Sequence, residues 1–109
     1  MKYPFVFGHE YTGAVLAVGE SVSNPQVGSR FVGHCMAPRL KFDNRQRRKR
    51  QKCRNLKEVG LRFIAGAAAD YVVVSEYTVT IVRDNVPLKS AMLTEPMATA
   101  YNACDRSYV

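Results

Sequence analysis

Two short stretches of this sequence carry the side chains best suited to chemistry. The first, Gly8–Gly19, places His9 beside Glu10, directly before a run of small and apolar residues. A neutral imidazole is a common metal ligand, and an adjacent carboxylate can orient it or share the metal. The second stretch, 93–100, brings another carboxylate, Glu95, into an otherwise apolar setting. We predict that the two stretches form one metal site.

The elements that must position these side chains are mostly short β-strands. Small or β-branched residues bounded by glycines predict a buried strand over 13–18, and a second strand follows at 30–33. Two segments rich in valine, threonine and tyrosine, 68–74 and 78–82, fit the pleated surface of a sheet. The pattern indicates a small, mostly antiparallel β-barrel.

A helix and a charged segment interrupt this strand pattern. The helix is predicted over 88–101 and contains Pro96, which must either kink it or start a new helix. From 36 to 58 the sequence has little periodicity and heavy charge, which predicts a long lobe on the surface. We therefore expect the barrel to carry one large excursion and one short C-terminal helix.

Length and composition indicate a single globular domain. The chain has 109 residues, of which 47% are hydrophobic and 23% are charged, as in a soluble protein. No apolar run approaches the roughly 20 residues that span a bilayer, and the first residues lack the features of a secretion signal, so we expect a cytoplasmic protein. The three cysteines, Cys35, Cys53 and Cys104, form neither a disulfide framework nor a complete metal set.

The basic residues are concentrated in one segment. The formal net charge is +7, but 39–54 holds nine Lys or Arg against one acid, so the rest of the chain has a net charge of −1. The run 45–52 could bind phosphate backbones through counterion release or act as a localisation signal. No aromatic residue is interleaved within it for base stacking. A solvated surface is the favoured interpretation, and nucleic-acid binding is the alternative.

Taken in order, these motifs resemble the zinc-dependent medium-chain alcohol dehydrogenases, in particular the sorbitol and threonine dehydrogenase branch. The resemblance is to the N-terminal catalytic domain of that family, and it implies a mostly β fold, a GroES-like antiparallel β-barrel. It spans nearly all of 1–109. The matching pieces are Gly8–Glu10, Gly13, Val18–Glu20, Val27–Phe31, Gly66–Val72 and Glu95–Ala100.

The resemblance implies roles for three residues. In the family, a catalytic zinc lies between a cysteine, the histidine of Gly-His-Glu and a cysteine or glutamate at the position of Glu95. His9 and Glu95 are therefore expected to be zinc ligands, and Glu10 a catalytic carboxylate beside them that can enter the coordination sphere. Zinc would lower the pKa of a bound alcohol, so that hydride can leave for a nicotinamide. The structural alternative for His9 is a histidine at a strand start whose hydrogen bonds are satisfied. The alternative for Glu95 is a carboxylate that only stabilises a helix start.

The sequence also departs from the family at both ends. The cysteine ligand of the family lies well before Gly-His-Glu, and the family continues into a dinucleotide-binding Rossmann domain. We therefore expect 1–109 to be truncated at both ends, inactive alone, weak in zinc binding and able to use NAD or NADP only with the missing domain. The absent strands should leave unpaired sheet edges, a liability for aggregation.

These features leave several functions open. The first is the incomplete catalytic domain of an alcohol or polyol dehydrogenase, whose relatives are usually homo-oligomers. The second is a non-catalytic relict or interaction module on the same barrel, and the third is a basic nucleic-acid binder. Within the family, the zinc-free quinone reductases are a rival that His9 and Glu95 argue against, because that branch needs neither ligand.

The lobe at 36–58 departs from the family as well. Many members hold a structural zinc there with four cysteines spaced Cys-x2-Cys-x2-Cys-x7-Cys. Counting back from Cys53 by that spacing gives Arg45, Phe42 and Arg39, so only one of four thiolates remains. Arginine repels a cation and has no lone pair to donate. We predict that the structural zinc is lost, that Cys53 is a remnant of its site and that the lobe is loose.

Overall fold

Two small three-stranded sheets make up the β part of the protein, whose computed structural model describes residues 3–37 and 56–107. The strands are β1 Tyr11–Ala14, β2 Arg30–Gly33, β3 Met36–Ala37, β4 Lys57–Val59, β5 Phe63–Ile64 and β6 Val79–Ile81. The first sheet has the order β1-β2-β6 and the second the order β3-β4-β5. All pairings among these strands are antiparallel except the parallel pair β4 and β5.

The central strand β2 divides the core into two clusters. Successive side chains of a strand point to opposite faces, and Phe31 and Val32 accordingly belong to different clusters. The ring of Phe31 meets the ring of Tyr11 edge to face, with 6.2 Å between centroids. Burying side chains of this size stabilises the fold by about 1.5–3 kcal/mol each. The first cluster contains Tyr11, Phe31 and Val59, and the second contains Val32, Val82 and Ala91.

The C-terminal part of the chain forms two consecutive helices, α1 (Leu88–Ala91) and α2 (Thr94–Ser107). Pro96 lies in the first turn of α2, where backbone N–H groups have no partner within the helix, so of the two predicted alternatives the structure has the new helix and not the kink. Helix α1 packs against β1 and β2, whereas α2 buries none of its side chains. Neither helix has the length and apolar character needed to cross a membrane, and this holds for all residues that the structure describes.

The predicted strands agree with the structure to different degrees. Strand β2 has the predicted bounds, 30–33, and the strand predicted over 78–82 is present as β6. The strand predicted over 13–18 ends early, at Ala14, because its pairing with β2 ends at the pair Ala14 and Arg30. The segment 68–74 forms no strand, because no described strand lies beside it to accept its hydrogen bonds. That prediction was wrong.

Only the two ends of the predicted lobe at 36–58 lie within the described residues. There, β3 pairs with β4 in an antiparallel register that sets Met36 opposite Glu58 and Ala37 opposite Lys57. Residues 38–55 lie outside the described part of the chain. The structure therefore shows that the two ends of this segment are hydrogen-bonded neighbours, and the lobe itself stays a prediction.

Candidate metal centre

Backbone contacts between two distant segments fix the turn that presents His9. Gly8 has φ +103°, a conformation that favours glycine, and a Cβ there would lie 2.8 Å from the backbone nitrogen of Ala68. Main-chain contacts therefore determine the backbone position from which the His9 side chain projects. Three bonds join the segments: the N–H groups of Gly66, Ala67 and Ala68 donate to the carbonyls of Val6, Gly8 and Phe7 at 2.7, 2.9 and 3.0 Å.

A second glycine packs directly on this turn. Gly60 has φ +69° and lies so close to the carbonyl of Gly8 that a Cβ at Gly60 would overlap it. Gly60 directly follows β4, whose last residue, Val59, is 1% exposed in the first core cluster. The turn before His9 and the core under β4 thus form one packed unit. Because such packing leaves little free space, the backbone at His9 has little room to move.

Helix α2 presents Glu95 from its first turn. The hydroxyl of Thr94 donates to the carbonyl of Ala91 at 2.6 Å, which ties the start of α2 to the end of α1. Ala91 is buried beside Val32 of β2 in the second core cluster. A carboxylate in the first turn of a helix also interacts favourably with the helix dipole. Glu95 therefore reaches the site from a helix start that is anchored on the central strand.

The fold brings the three predicted ligands together. One donor atom each from His9, Glu10 and Glu95 lies within 4.8 Å of the other two, and His9 Nε2 is 3.9 Å from Glu10 Oε1. Two donors on one tetrahedral zinc lie about 3.4 Å apart, given bonds of about 2.1 Å. Side-chain rotations that bring the donors closer by up to about 1.4 Å would therefore suffice. The His9 and Glu10 side chains are 35% and 45% exposed, so a small substrate can reach the cluster.

The chemistry of the donors suits a divalent cation. An imidazole nitrogen and two carboxylate oxygens are hard or borderline donors, and zinc accepts both kinds. Three protein ligands also leave a fourth tetrahedral position for water or a substrate oxygen. The residues thus fit the metal that the sequence predicts, although their role as ligands stays a prediction.

Cys35 lies close enough to the Glu95 carboxylate of this cluster for the negative charge to affect its pKa. The thiol is buried between β2 and β3, and burial raises its pKa. The carboxylates of Glu95 and Glu58 raise the pKa of Cys35 further, since they repel a thiolate. Cys35 is thus a buried thiol whose neutral form the fold favours.

Of the remaining sequence candidates, Cys104 lies within the described residues and is not part of this cluster. Cys53, with Arg39, Phe42 and Arg45, lies outside the described residues, as does the basic run 45–52. The loss of the structural zinc and the nucleic-acid alternative therefore stay predictions. Cys104 is exposed on α2.

Tyr11, which follows the cluster directly, is a residue that the sequence analysis did not single out. It is 7% exposed, and its hydroxyl has no hydrogen-bond partner among the described residues. Burial also raises the pKa of this phenol. In the register of β1 and β2, Tyr11 faces Gly33, where a Cβ would overlap its ring. A glycine inside a strand pattern often marks such a close approach, and this was the available signal.

An apolar groove of about 440 Å³ is the second feature that the sequence did not reveal. Its lining includes residues 11–19, Ala67 with 69–74, and Phe31. None of the three cluster residues lines it. The groove is therefore a separate surface of the molecule.

Comparison with known proteins gives one consistent family. The sequence model of the alcohol dehydrogenase GroES-like domain matches residues 1–84. The chain is 34% identical over 115 aligned residues to (R,R)-butanediol dehydrogenase from Saccharomyces cerevisiae, covering 92% of this chain and 30% of that protein. It is 35% identical over 100 residues to L-threonine 3-dehydrogenase from Saccharopolyspora erythraea, covering 89% of this chain and 28% of that protein.

A solved structure agrees with these relatives. Galactitol-1-phosphate dehydrogenase from Escherichia coli superposes with a TM-score of 0.77 at 25% identity, covering 87% of this chain and 27% of that one. The mostly β, GroES-like prediction is thus confirmed. The chain spans less than a third of the length of the curated relatives described above.

Proposed function

Because the chain belongs to the family of alcohol dehydrogenase GroES-like domains, we propose that it forms the metal-holding part of a zinc-dependent, NAD(P)-linked alcohol or polyol dehydrogenase. The observation that carries this proposal is the convergence of His9, Glu10 and Glu95 from distant parts of the sequence. The substrate class follows from relatives whose names include butanediol and galactitol-1-phosphate. Homo-oligomerisation and a cytoplasmic location are proposed from the resemblance to this family.

Each residue of the cluster has a distinct task in this proposal. His9 supplies a neutral imidazole nitrogen, and Glu95 supplies a carboxylate oxygen from the start of α2. Glu10 lies beside the imidazole, where it orients the ring or joins the ligand set. A zinc ion held there would act as a Lewis acid on the substrate oxygen and so lower the pKa of the alcohol. The half-exposed position keeps the cluster open to that oxygen.

Hydride transfer requires a nicotinamide, and these 109 residues contain no Gly-x-Gly-x-x-Gly sequence to bind one. We therefore expect the chain by itself to show no NAD- or NADP-linked oxidation of alcohols or polyols. A spectrophotometric assay of nicotinamide reduction with zinc present tests this. Turnover above a protein-free control would show that the chain holds its own cofactor site and would refute this part of the proposal.

Zinc affinity tests the cluster directly. We expect Glu95→Gln to weaken zinc binding by at least about 10-fold, because an amide is a poorer ligand than a carboxylate. The affinity is measured by competition with a chromogenic chelator. Glu20→Gln is the matched control, since Glu20 is exposed in the loop after β1 and has no part in the cluster.

The outcome distinguishes the alternatives. Equal zinc affinity for Glu95→Gln, Glu20→Gln and the unsubstituted chain would overturn the proposed site and favour a non-catalytic module. Binding of a second zinc that Cys53→Ser removes would instead show that the lobe has kept its structural site. A single zinc that is lost in Glu95→Gln and retained in Cys53→Ser is the result that we expect.

A further inference from the structure

One side chain of strand β2 is bonded to the loop that leads into the helices. Arg30, the first residue of β2, donates from Nη1 to the carbonyl of Asp84 at 3.1 Å and from Nη2 to that of Val86 at 2.6 Å. A guanidinium holds its N–H groups in a rigid planar fork, so these two bonds together set both the distance and the direction of the acceptors. The side chain therefore fastens the loop after β6 to the central strand.

Pro87 passes this position on to α1. The proline ring fixes φ, which is −60° here, and it also disfavours helical backbone at Val86. The carbonyl of Pro87 accepts the N–H groups of Ser90 and Ala91 at 2.9 and 3.0 Å, and these bonds begin the helix. Few free torsions therefore lie between the carbonyl that Arg30 holds and the start of α1.

Helix α1 in turn determines where Glu95 lies. Ala91, at the end of α1, is buried beside Val32, and its carbonyl accepts the hydroxyl of Thr94 at 2.6 Å. Glu95 is the next residue of the chain. Helix α2 itself buries none of its side chains, so its own packing contributes little to its direction. The position of Glu95 therefore depends on α1 and on the loop before it.

We propose that Arg30 is a positioning residue for the metal cluster, acting on Glu95 through the loop 84–86 and α1. This inference rests on the proposed function, in which Glu95 is a zinc ligand. His9 is held separately, because the turn before it is bonded to 66–68 and packs on Gly60. Loss of the Arg30 fork would thus move Glu95 relative to an imidazole that stays in place.

Arg30→Lys removes the fork but keeps the positive charge. An ammonium is a point donor on a flexible stem, so it does not hold two carbonyls at a fixed angle. Loss of a direct partner of a ligand costs about 10- to 100-fold in metal affinity, and Arg30 acts less directly, so we expect a loss of roughly 3- to 10-fold. Arg83→Lys is the matched control, because Arg83 is exposed in the same loop. It should bind zinc like the unsubstituted chain.

A double-mutant cycle with Glu95→Gln shows whether Arg30 acts through Glu95. Zinc affinity is measured by chelator competition for the unsubstituted chain, both single variants and the double variant. Arg30→Lys should weaken binding where Glu95 is present and change it by less than about 2-fold where Glu95 is already glutamine. A merely structural role would instead weaken binding equally in both cases, since His9 is retained in both.

The outcomes separate this inference from the proposed function. Equal affinity of Glu95→Gln and the unsubstituted chain would refute both, because Glu95 would then not be a ligand. If Glu95→Gln weakens binding but Arg30→Lys does not, or if Arg30→Lys weakens it equally with and without Glu95, only the role of Arg30 is overturned.

Thermal melts show whether each variant is folded. If Arg30→Lys does not fold, Thr94→Val takes its place in the cycle, because it removes the last bond on the way to Glu95. Its effect should likewise disappear in the Glu95→Gln chain. An equal effect with and without Glu95 would show that the start of α2 does not position this carboxylate, and would overturn the role of Arg30 as well.

Discussion

The turn before His9 and the segment 71–74 contain similar residue types but differ in what surrounds them. Residues 6–8 accept backbone hydrogen bonds from the N–H groups of 66–68 and pack on Gly60, so their conformation is set on several sides. The segment 71–74 rests on the core through Val72 and Val74 only, and its main chain has no backbone partner among the described residues. Backbone hydrogen bonds from a second segment therefore fix the turn before His9, whereas side-chain packing alone positions 71–74 among the described residues.

The largest expected effect comes from breaking the close approach at the ordered turn. Gly60→Ala places a Cβ against the carbonyl of Gly8 in a backbone conformation that alanine disfavours. We expect a loss of about 4 kcal/mol or more in the free energy of unfolding, measured by urea denaturation, and with it the loss of zinc binding.

Gly28→Ala is the control for this effect. Gly28 also has a positive φ, +87°, but nothing lies within 4 Å of a Cβ placed there. Only the conformational cost of about 1–2 kcal/mol should remain. Equal losses at Gly60 and Gly28 would show that backbone conformation alone, and not the contact with Gly8, destabilises the turn.

The same substitution at two valines compares the two regions directly. Val59, at 1% exposure, lies in the core beside the turn, so Val59→Ala should cost about 2 kcal/mol of unfolding free energy. Val73 is 92% exposed, so Val73→Ala should lower the unfolding free energy of the monomer by less than about 0.5 kcal/mol. Urea denaturation at low protein concentration measures both. A large loss at Val73 under those conditions would mean that its side chain is packed in the monomer.

The smallest expected effect is a decline in stability at alkaline pH. The pKa of Cys35 is raised in the folded state, so the folded protein holds the proton to higher pH than the unfolded chain does. Its contribution is therefore complete below the ordinary pKa of 9.0 and is lost as the pH rises through the folded value. Tyr11, raised above its ordinary 10.0, adds a second decline at higher pH.

Urea denaturation from pH 7 to pH 11, with a chelator present, measures this dependence. Cys35→Ala should remove the first part of the decline and leave the part due to Tyr11. Exposed Cys104 provides the control, because Cys104→Ala should leave the pH profile unchanged. A Cys35→Ala profile that matches the unsubstituted one would show that the thiol titrates alike in both states.

Local sequence predicted the parts of the fold that are determined by nearby residues. The bounds of β2 follow from the alternation of Phe31 and Val32, and a new helix at Pro96 was one of the two alternatives that this proline predicted. The sequence also suggested that His9 and Glu95 meet, but only through the order of motifs along the chain. Nothing in either stretch encodes a distance between them.

The strand predictions that failed have a different physical origin. A valine-rich composition indicates that side chains would fit a pleated surface, but it does not determine whether a neighbouring strand is present. The segment 68–74 and the early end of β1 at Ala14 were missed for this reason. The groove follows from the same cause, because a cleft forms where two such stretches face each other without a neighbour between them.

The pairing of β3 with β4 makes the base of the lobe a convenient place for protein engineering. With Ala37 and Lys57 already opposite each other, a foreign peptide grafted between them would start and finish at adjacent points. Doubling the length of such an insert costs only about 0.6 kcal/mol of loop-closure free energy. Residues 38–55 could thus be exchanged for a reporter or an epitope, while the turn before His9 and the start of α2 that carries Glu95 keep their own contacts.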